Sequence, residues 1–136
     1  FDFEDGSIRK KKDMLRLRQE GTRARLAYKK FISNEQSKQR EEYEVDVSDF
    51  NKTRDILVHL GLKESLKVMK HRTSYQLDDV HYEFDRYVED YAFIPEFLEI
   101  EANNIKSVHK YAEKIGFKKS DCLPWSMNDL IKHYRK

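Results

Sequence analysis

Residues 40–47 read REEYEVDV, with Arg40, Glu42, Glu44 and Asp46 alternating against Tyr43, Val45 and Val47. A period of two is the signature of a strand, whose successive side chains point to opposite faces. One face of this strand is then ionised and the other apolar. The pattern recurs upstream. MLRLRQ (14–19) sets Arg16 and Arg18 against Leu15 and Leu17, and TRARLAYKK (22–30) sets Arg23, Arg25 and Lys29 against Ala24, Leu26 and Tyr28. EGT at 20–22 is a hairpin turn signal between those two runs. SNEQSKQ (33–39) reads as a longer polar loop, and FDFEDGSIRKKKD (1–13) as a loop after an initial strand fragment.

Downstream, SDFNKTRDILVHLG (48–61) changes period. Ser48 or Asp49 is a candidate N-cap and Gly61 a stop, with Phe50, Ile56, Leu57 and Leu60 as a helical stripe. SLKVMKHRTSY (65–75) returns to alternation, although Leu66 and Val68 share parity with Lys70 and Arg72. QLDDVHYEFDRYV (76–88) holds a turn at Asp78–Asp79. A strand follows, with Glu83 and Asp85 on one face and Tyr82, Phe84 and Arg86 on the other. FIPEFLEIEAN (93–103) places Glu99 and Glu101 together, against Leu98 and Ile100. NNIKSVHKYAEKIG (103–116) is an amphipathic helix with Ile105, Val108, Ala112 and Ile115 on its stripe. LPWSMNDLIKHYRK (123–136) offers Ser126 as N-cap with Asp129 three residues on, a capping box ahead of a terminal helix. Hairpin-linked strands with interspersed helices predict an α+β fold with an antiparallel sheet.

The 136 residues fit one domain, 1–136. Charged residues make up 38% of the chain, with 27 Lys and Arg against 25 Asp and Glu, so the charge is mixed and not a tail of one sign. Eight Tyr and eight Phe argue against disorder. The single cysteine, Cys122, excludes an internal disulfide and a Cys-based zinc site, which favours a reducing, cytoplasmic setting. No apolar run approaches the length of a membrane span. The five histidines have no metal-like spacing, and Trp125 reads as an anchor of the terminal helix.

Ionised residues thus fill one side of six separate runs. Taken run by run, a solvated outer face with weak cross-strand ion pairs accounts for them. Taken together, they suggest polar faces turned inward around a charged cavity, with the apolar faces packed outward under helices. Such an arrangement is costly unless the charges are paired or hold a ligand. The fitting ligand is a polyanion held by Arg and Lys, with Mg²⁺ or Mn²⁺ bridging it to carboxylates.

The pieces LRLR (15–18), RLAYKK (25–30), REEYEVDV (40–47), LKVMKHR (66–72), YEFDRY (82–87) and FLEIEAN (97–103), in this order, resemble the CYTH superfamily of triphosphate tunnel metalloenzymes. It includes class IV adenylyl cyclases, thiamine triphosphatases and inorganic triphosphatases. The resemblance implies an antiparallel β-barrel, a tunnel with a charged interior and helices outside. It implies triphosphate binding by Arg16, Arg18, Lys29, Arg40, Lys70 and Arg72, with Lys29 as the catalytic position. It further implies a Mg²⁺ or Mn²⁺ site at Glu99 and Glu101, assisted by Asp85 and Glu42. The implied substrate is ATP, thiamine triphosphate or tripolyphosphate. The implied reaction is triphosphate hydrolysis, with cyclic AMP formation as the alternative.

The family's N-terminal ExExK strand has no match here, because Glu42-x-Glu44-x-Asp46 and Glu99-x-Glu101-x-Asn103 both lack the lysine. The expectation is that this strand precedes Phe1, the alternative being a degenerate family member. The open edges its absence leaves suit a partner chain or a second copy, a homodimer. The missing motif also keeps a non-catalytic binder of triphosphate or polyphosphate in view. Nucleic acid fits poorly, since acidic side chains on the same faces repel a phosphate backbone.

Overall fold

The computed structural model describes residues 1–33 and 39–135. The chain divides into two units, Phe1–Lys67 and Val68–Lys136. Each carries a three-stranded antiparallel sheet among the described residues.

In the first unit the sheet order is β1 (Met14–Glu20), β2 (Arg23–Ser33) and β3 (Gln39–Val47). The β1–β2 turn uses Gly21 at φ 58°, a left-handed conformation that costs glycine nothing. Register fixes the faces, since directly opposed residues share a side. Leu15 faces Tyr28 and Tyr28 faces Tyr43, while Leu17 faces Leu26 and Leu26 faces Val45. On that side Leu15, Leu26 and Tyr28 form a core with Ile8 of α1 (Ser7–Lys10), Leu57 of α2 (Phe50–His59) and Leu62, whereas Tyr43 and Val45 of β3, expected to pack under helices, are exposed. The expected strand alternation holds across all three runs. The interior of the polar loop expected over 33–39 lies outside the described residues.

Two expectations for this unit change. The segment 1–13, expected as loop, contains the one-turn helix α1. Its amides are satisfied from a distance: the Asp2 carboxylate accepts from the Ile8 and Arg9 N–H groups at 2.9 and 3.1 Å. Burial pushes the Asp2 carboxyl up, but these bonds outweigh it and hold the group below its ordinary pKa. In α2, Asp49 is the N-cap, accepting from the Lys52 N–H at 2.8 Å. The expected stripe narrows there, because Leu57 is buried whereas Ile56 and Leu60 are exposed.

In the second unit the order is β4 (Lys70–Leu77), β5 (Val80–Tyr87) and β6 (Phe97–Glu101). The strand expected from residue 65 thus begins at Lys70, and the one expected over 93–103 is confined to Phe97–Glu101. Leu98 and Ile100 pack with Val80 and Tyr82 against Tyr111 of α3 (Ile105–Lys114). Tyr82 donates to the Tyr111 carbonyl at 2.9 Å, so its buried hydroxyl is satisfied. Asn104 caps α3, whereas Ile105 and Ile115 of its predicted stripe are exposed and Tyr111 and Ala112 are the buried positions. The Ser126–Asp129 capping box opens α4 (Met127–Tyr134), as its sequence signature indicates. Trp125 stacks near His133 of that helix, with ring centroids 4.6 Å apart. No helix among the described residues is long and apolar enough to cross a membrane.

Leu57→Ala is expected to lower stability by about 2–4 kcal/mol through a cavity under the first sheet. Ile56→Ala, on the exposed side of the same helix, should change it by less than about 0.5 kcal/mol. Chemical denaturation of both variants measures the difference.

Candidate functional site

The faces opposite the helices carry the charge. In the first unit Arg18 lies opposite Arg25 and Arg25 opposite Asp46, while Lys29 lies opposite Glu42. Arg16 lies opposite Ala27, which lies opposite Glu44, and Arg40 follows at the far end opposite Phe31. The structure therefore brings Arg16, Arg18, Lys29, Arg40 and Glu42 onto one side of one sheet. Arg25 reaches Glu44 at 3.1 Å and Asp46 at 3.5 Å, Arg23 reaches Asp46 at 2.9 Å, and Lys29 reaches Glu42 at 3.3 Å. Arg18 reaches Glu20 at 2.6 Å. Cations outnumber carboxylates on this side: Arg16, Arg18, Arg23, Arg25, Lys29 and Arg40 against Glu20, Glu42, Glu44 and Asp46.

The basic run Arg9–Lys12 is drawn into the fold at its end. Lys12 lies over the Phe31 ring at 4.9 Å. The adjoining Asp13 accepts from the Tyr28 hydroxyl at 2.6 Å and the Phe31 N–H at 2.8 Å.

The second unit has the opposite balance. Lys70 and Arg72 share a face with Glu83, Asp85, Glu99 and Glu101. Arg72 lies opposite Asp85, Ser74 opposite Glu83, and Glu83 opposite Glu99. Asp85 is fully buried. It accepts from Lys70 Nζ at 2.6 Å, Arg72 Nε at 2.6 Å and Arg72 Nη2 at 2.7 Å. Burial pushes its carboxyl up, but the bonds from Arg72 and Lys70 outweigh that and hold it below the usual range. The same bonds raise the Arg72 pKa against the opposing effect of burial, so the guanidinium stays charged. Arg72 Nη2 also donates diagonally across β5 to Glu99 Oε2 at 2.9 Å.

Glu83 is the residue that the alternation placed on this face without assigning it a role. It is buried, accepts from the Ser74 hydroxyl, and lies 3.6 Å from Arg72 Nε. Its importance rests on register: only the pairing of β5 with β6 sets it directly across from Glu99. At one end of the face, beside Lys70, the positions on β5 and β6 are aromatic. Tyr87 and Phe97, ring centroids 5.7 Å apart, share the parity of Asp85 and Glu99, and they pack with Ile94 and Val68 against Leu130, Met127 and Ile131. The helix α4 therefore covers the end of the charged side, whereas α3 covers the apolar side. Burial drives the Tyr87 hydroxyl up to about 12.

The donor set suits a hard divalent cation. Glu83, Glu99 and Glu101 present carboxylate oxygens on one sheet face, the ligand type that Mg²⁺ and Mn²⁺ prefer. Among the described residues no three acidic, His or Cys side chains stand close enough to cage a metal by themselves. Asp85, expected beside the metal, directs both oxygens to Lys70 and Arg72.

The pH consequences differ in sign. Asp85 is depressed in the fold, so its contribution is complete above about pH 4 and lost as pH falls. Asp85→Asn should destabilise the chain at neutral pH by about 2–4 kcal/mol and flatten the acid limb of its stability profile. Tyr87 is raised, so its contribution is complete below about pH 10 and lost as pH climbs towards about 12. Absorbance titration of the folded chain should show a high-pH tyrosine step that Tyr87→Phe diminishes.

A family model described as the CYTH domain matches residues 1–132. No curated protein is detectably similar in sequence. Among solved structures, the PH1819 protein of Pyrococcus horikoshii OT3 is 28% identical at TM-score 0.71, over 93% of this chain and 76% of that one. A conserved hypothetical protein of Pyrococcus furiosus is 26% identical at TM-score 0.72, over 88% and 75%. A candidate adenylate cyclase of Vibrio parahaemolyticus shares the fold at TM-score 0.68 and 13% identity, over 96% and 76%. Matched across nearly its whole length, with helix-backed sheets bearing ionised faces in the expected order, the chain belongs to the CYTH domain family.

Proposed function

We propose that the chain processes a triphosphate with the help of a divalent cation, as a triphosphatase acting on a nucleoside, thiamine or inorganic triphosphate. The observation that carries this reading is the division of charge between the two sheets. One ionised face is rich in arginine and lysine, and the other in carboxylates.

Arg16, Arg18, Lys29 and Arg40, with Lys70 and Arg72, would hold phosphate oxygens. Arginine suits this because its planar fork donates two parallel bonds to a phosphate. Lys29 would place its ammonium on the phosphoryl group under attack and stabilise charge developing there. Glu99 and Glu101 would hold Mg²⁺ or Mn²⁺, which neutralises phosphate charge when bound. Asp85 would keep Lys70 and Arg72 pointed along the face.

An adenylyl cyclase is the second reading, favoured by the fold shared with the candidate adenylate cyclase. The two reactions separate by product. Hydrolysis releases phosphate, whereas cyclisation of ATP releases pyrophosphate and leaves cyclic AMP. Tripolyphosphate, thiamine triphosphate and ATP should each be offered with Mg²⁺ or Mn²⁺, with phosphate, pyrophosphate and cyclic AMP followed. Arg16→Ala combined with Arg18→Ala should lower turnover by about 100-fold or more. Retained triphosphate affinity with no turnover under any of these conditions would instead identify a binding protein.

A further inference from the structure

We infer that β4 is a dimerisation strand: two copies of this chain join edge to edge along Thr73–Leu77, antiparallel, about a two-fold axis at Tyr75. The sheet orders leave β1, β3, β4 and β6 at edges among the described residues. An open edge recruits another strand unless charges, prolines, bulges or short length discourage it. Charges recur along β1 (MLRLRQE) and β3 (QREEYEVDV), and β6 (FLEIE) is short and carries two glutamates. The strand β4 (KHRTSYQL) differs. Its run TSYQL (73–77) has no charge, proline or glycine. The register of β4 with β5 is unbroken, so no bulge turns this edge away. Thr and Tyr also favour a strand.

The apolar side of this run is open. Tyr75 is 60% exposed and Leu77 45%. Phe84 on the neighbouring strand meets the Tyr75 ring edge-on, with centroids 6.0 Å apart. Exposed Ile115 and Phe117 line the groove beside them.

The charges flanking the run select the occupant. Lys70, His71 and Arg72 precede it, and Asp78 and Asp79 follow it. An antiparallel second copy sets each basic flank against an acidic one, twice by symmetry, whereas a parallel copy opposes like charges. Opposed residues share a face, so the pairing joins positions of equal parity. With Tyr75 on the axis it meets its own counterpart, Thr73 meets Leu77, and Ser74 meets Gln76. The other edges forbid the same operation. About its apolar centre, β1 would oppose Arg16 with Arg18, β3 would oppose Glu42 with Glu44, and β6 would oppose Glu99 with Glu101. Like charges directly opposed are destabilising. The axis stands perpendicular to the sheet, so both copies keep their charged faces on one side.

Sedimentation equilibrium of the chain over about 1–500 μM should show monomer and dimer and nothing larger, because a two-fold contact closes on itself. Tyr75→Lys puts two ammonium groups on the axis and should weaken the dimer about tenfold or more, with an unchanged far-ultraviolet dichroism spectrum. A second test reads the register. In a Cys122→Ser background, mild oxidation of Tyr75→Cys should link two copies, because the residue on the axis meets itself. Val45→Cys on β3, at a position 56% exposed, should stay unlinked. A chain that remains monomeric throughout, a dimer indifferent to Tyr75→Lys, assembly beyond two copies, or oxidation that links position 45 as readily as position 75 overturns the proposal.

Discussion

A carboxylate with no access to water organises the second sheet. Asp85 sits in the middle strand with Lys70 and Arg72 bonded to both of its oxygens. A buried charge is tolerable only when it is neutralised and its lone pairs are filled, and here three donors do both. The consequence runs outward along the strands. Arg72, fixed from beneath, can present its remaining donors only along the face, where Glu99 and Glu83 lie. The direction of that guanidinium follows from the need of Asp85 for partners.

The first sheet shows a looser version of the same constraint. Its cations contact carboxylates on the neighbouring strand, but at exposed or half-exposed positions: Arg23 with Asp46, Arg25 with Glu44 and Lys29 with Glu42. Such contacts contribute little to stability and can be exchanged for a stronger anion at small cost. The stability of this unit comes from the other side of the sheet, where Leu15, Leu26 and Tyr28 pack with Ile8, Leu57 and Leu62. The first sheet thus separates a side that holds the fold from a charged side, because a strand alternates its side chains, whereas the second sheet buries Asp85, Glu83 and Tyr87 on its charged side as well.

That alternation made much of the architecture legible. Arg16 and Arg18, Lys29, Glu42, and Glu99 and Glu101 lie where their parity predicted, on the face away from the alternating apolar residues, although Tyr43 and Val45 beside Glu42 are exposed and not under a helix. The caps at Asp49 and Ser126 were legible for a local reason, since each bonds an amide within three residues. Helix α1 was not, because the carboxylate that satisfies its amides, Asp2, lies six and seven residues away across a turn. The exposure of Ile56, Leu60, Ile105 and Ile115 was equally hidden: a helical stripe shows which side is apolar, not how much of it a narrow sheet can cover.

The order of residues by itself determined which side chains share a face, since the two-residue period of a strand is a property of the backbone alone. It determined too that one face of every strand would be ionised, and that Glu99 and Glu101 would point together. Which residues touch across strands was decided only by the tertiary structure, because register depends on turn geometry and on the packing of distant apolar groups. That register set Glu83 against Glu99 and Arg72 against Asp85. It also laid α4 over Tyr87 and Phe97, turning one end of a charged face into a buried one. The chemistry of the face was written residue by residue, but the choice of which carboxylate is buried against an arginine and which stays half-exposed came from the fold.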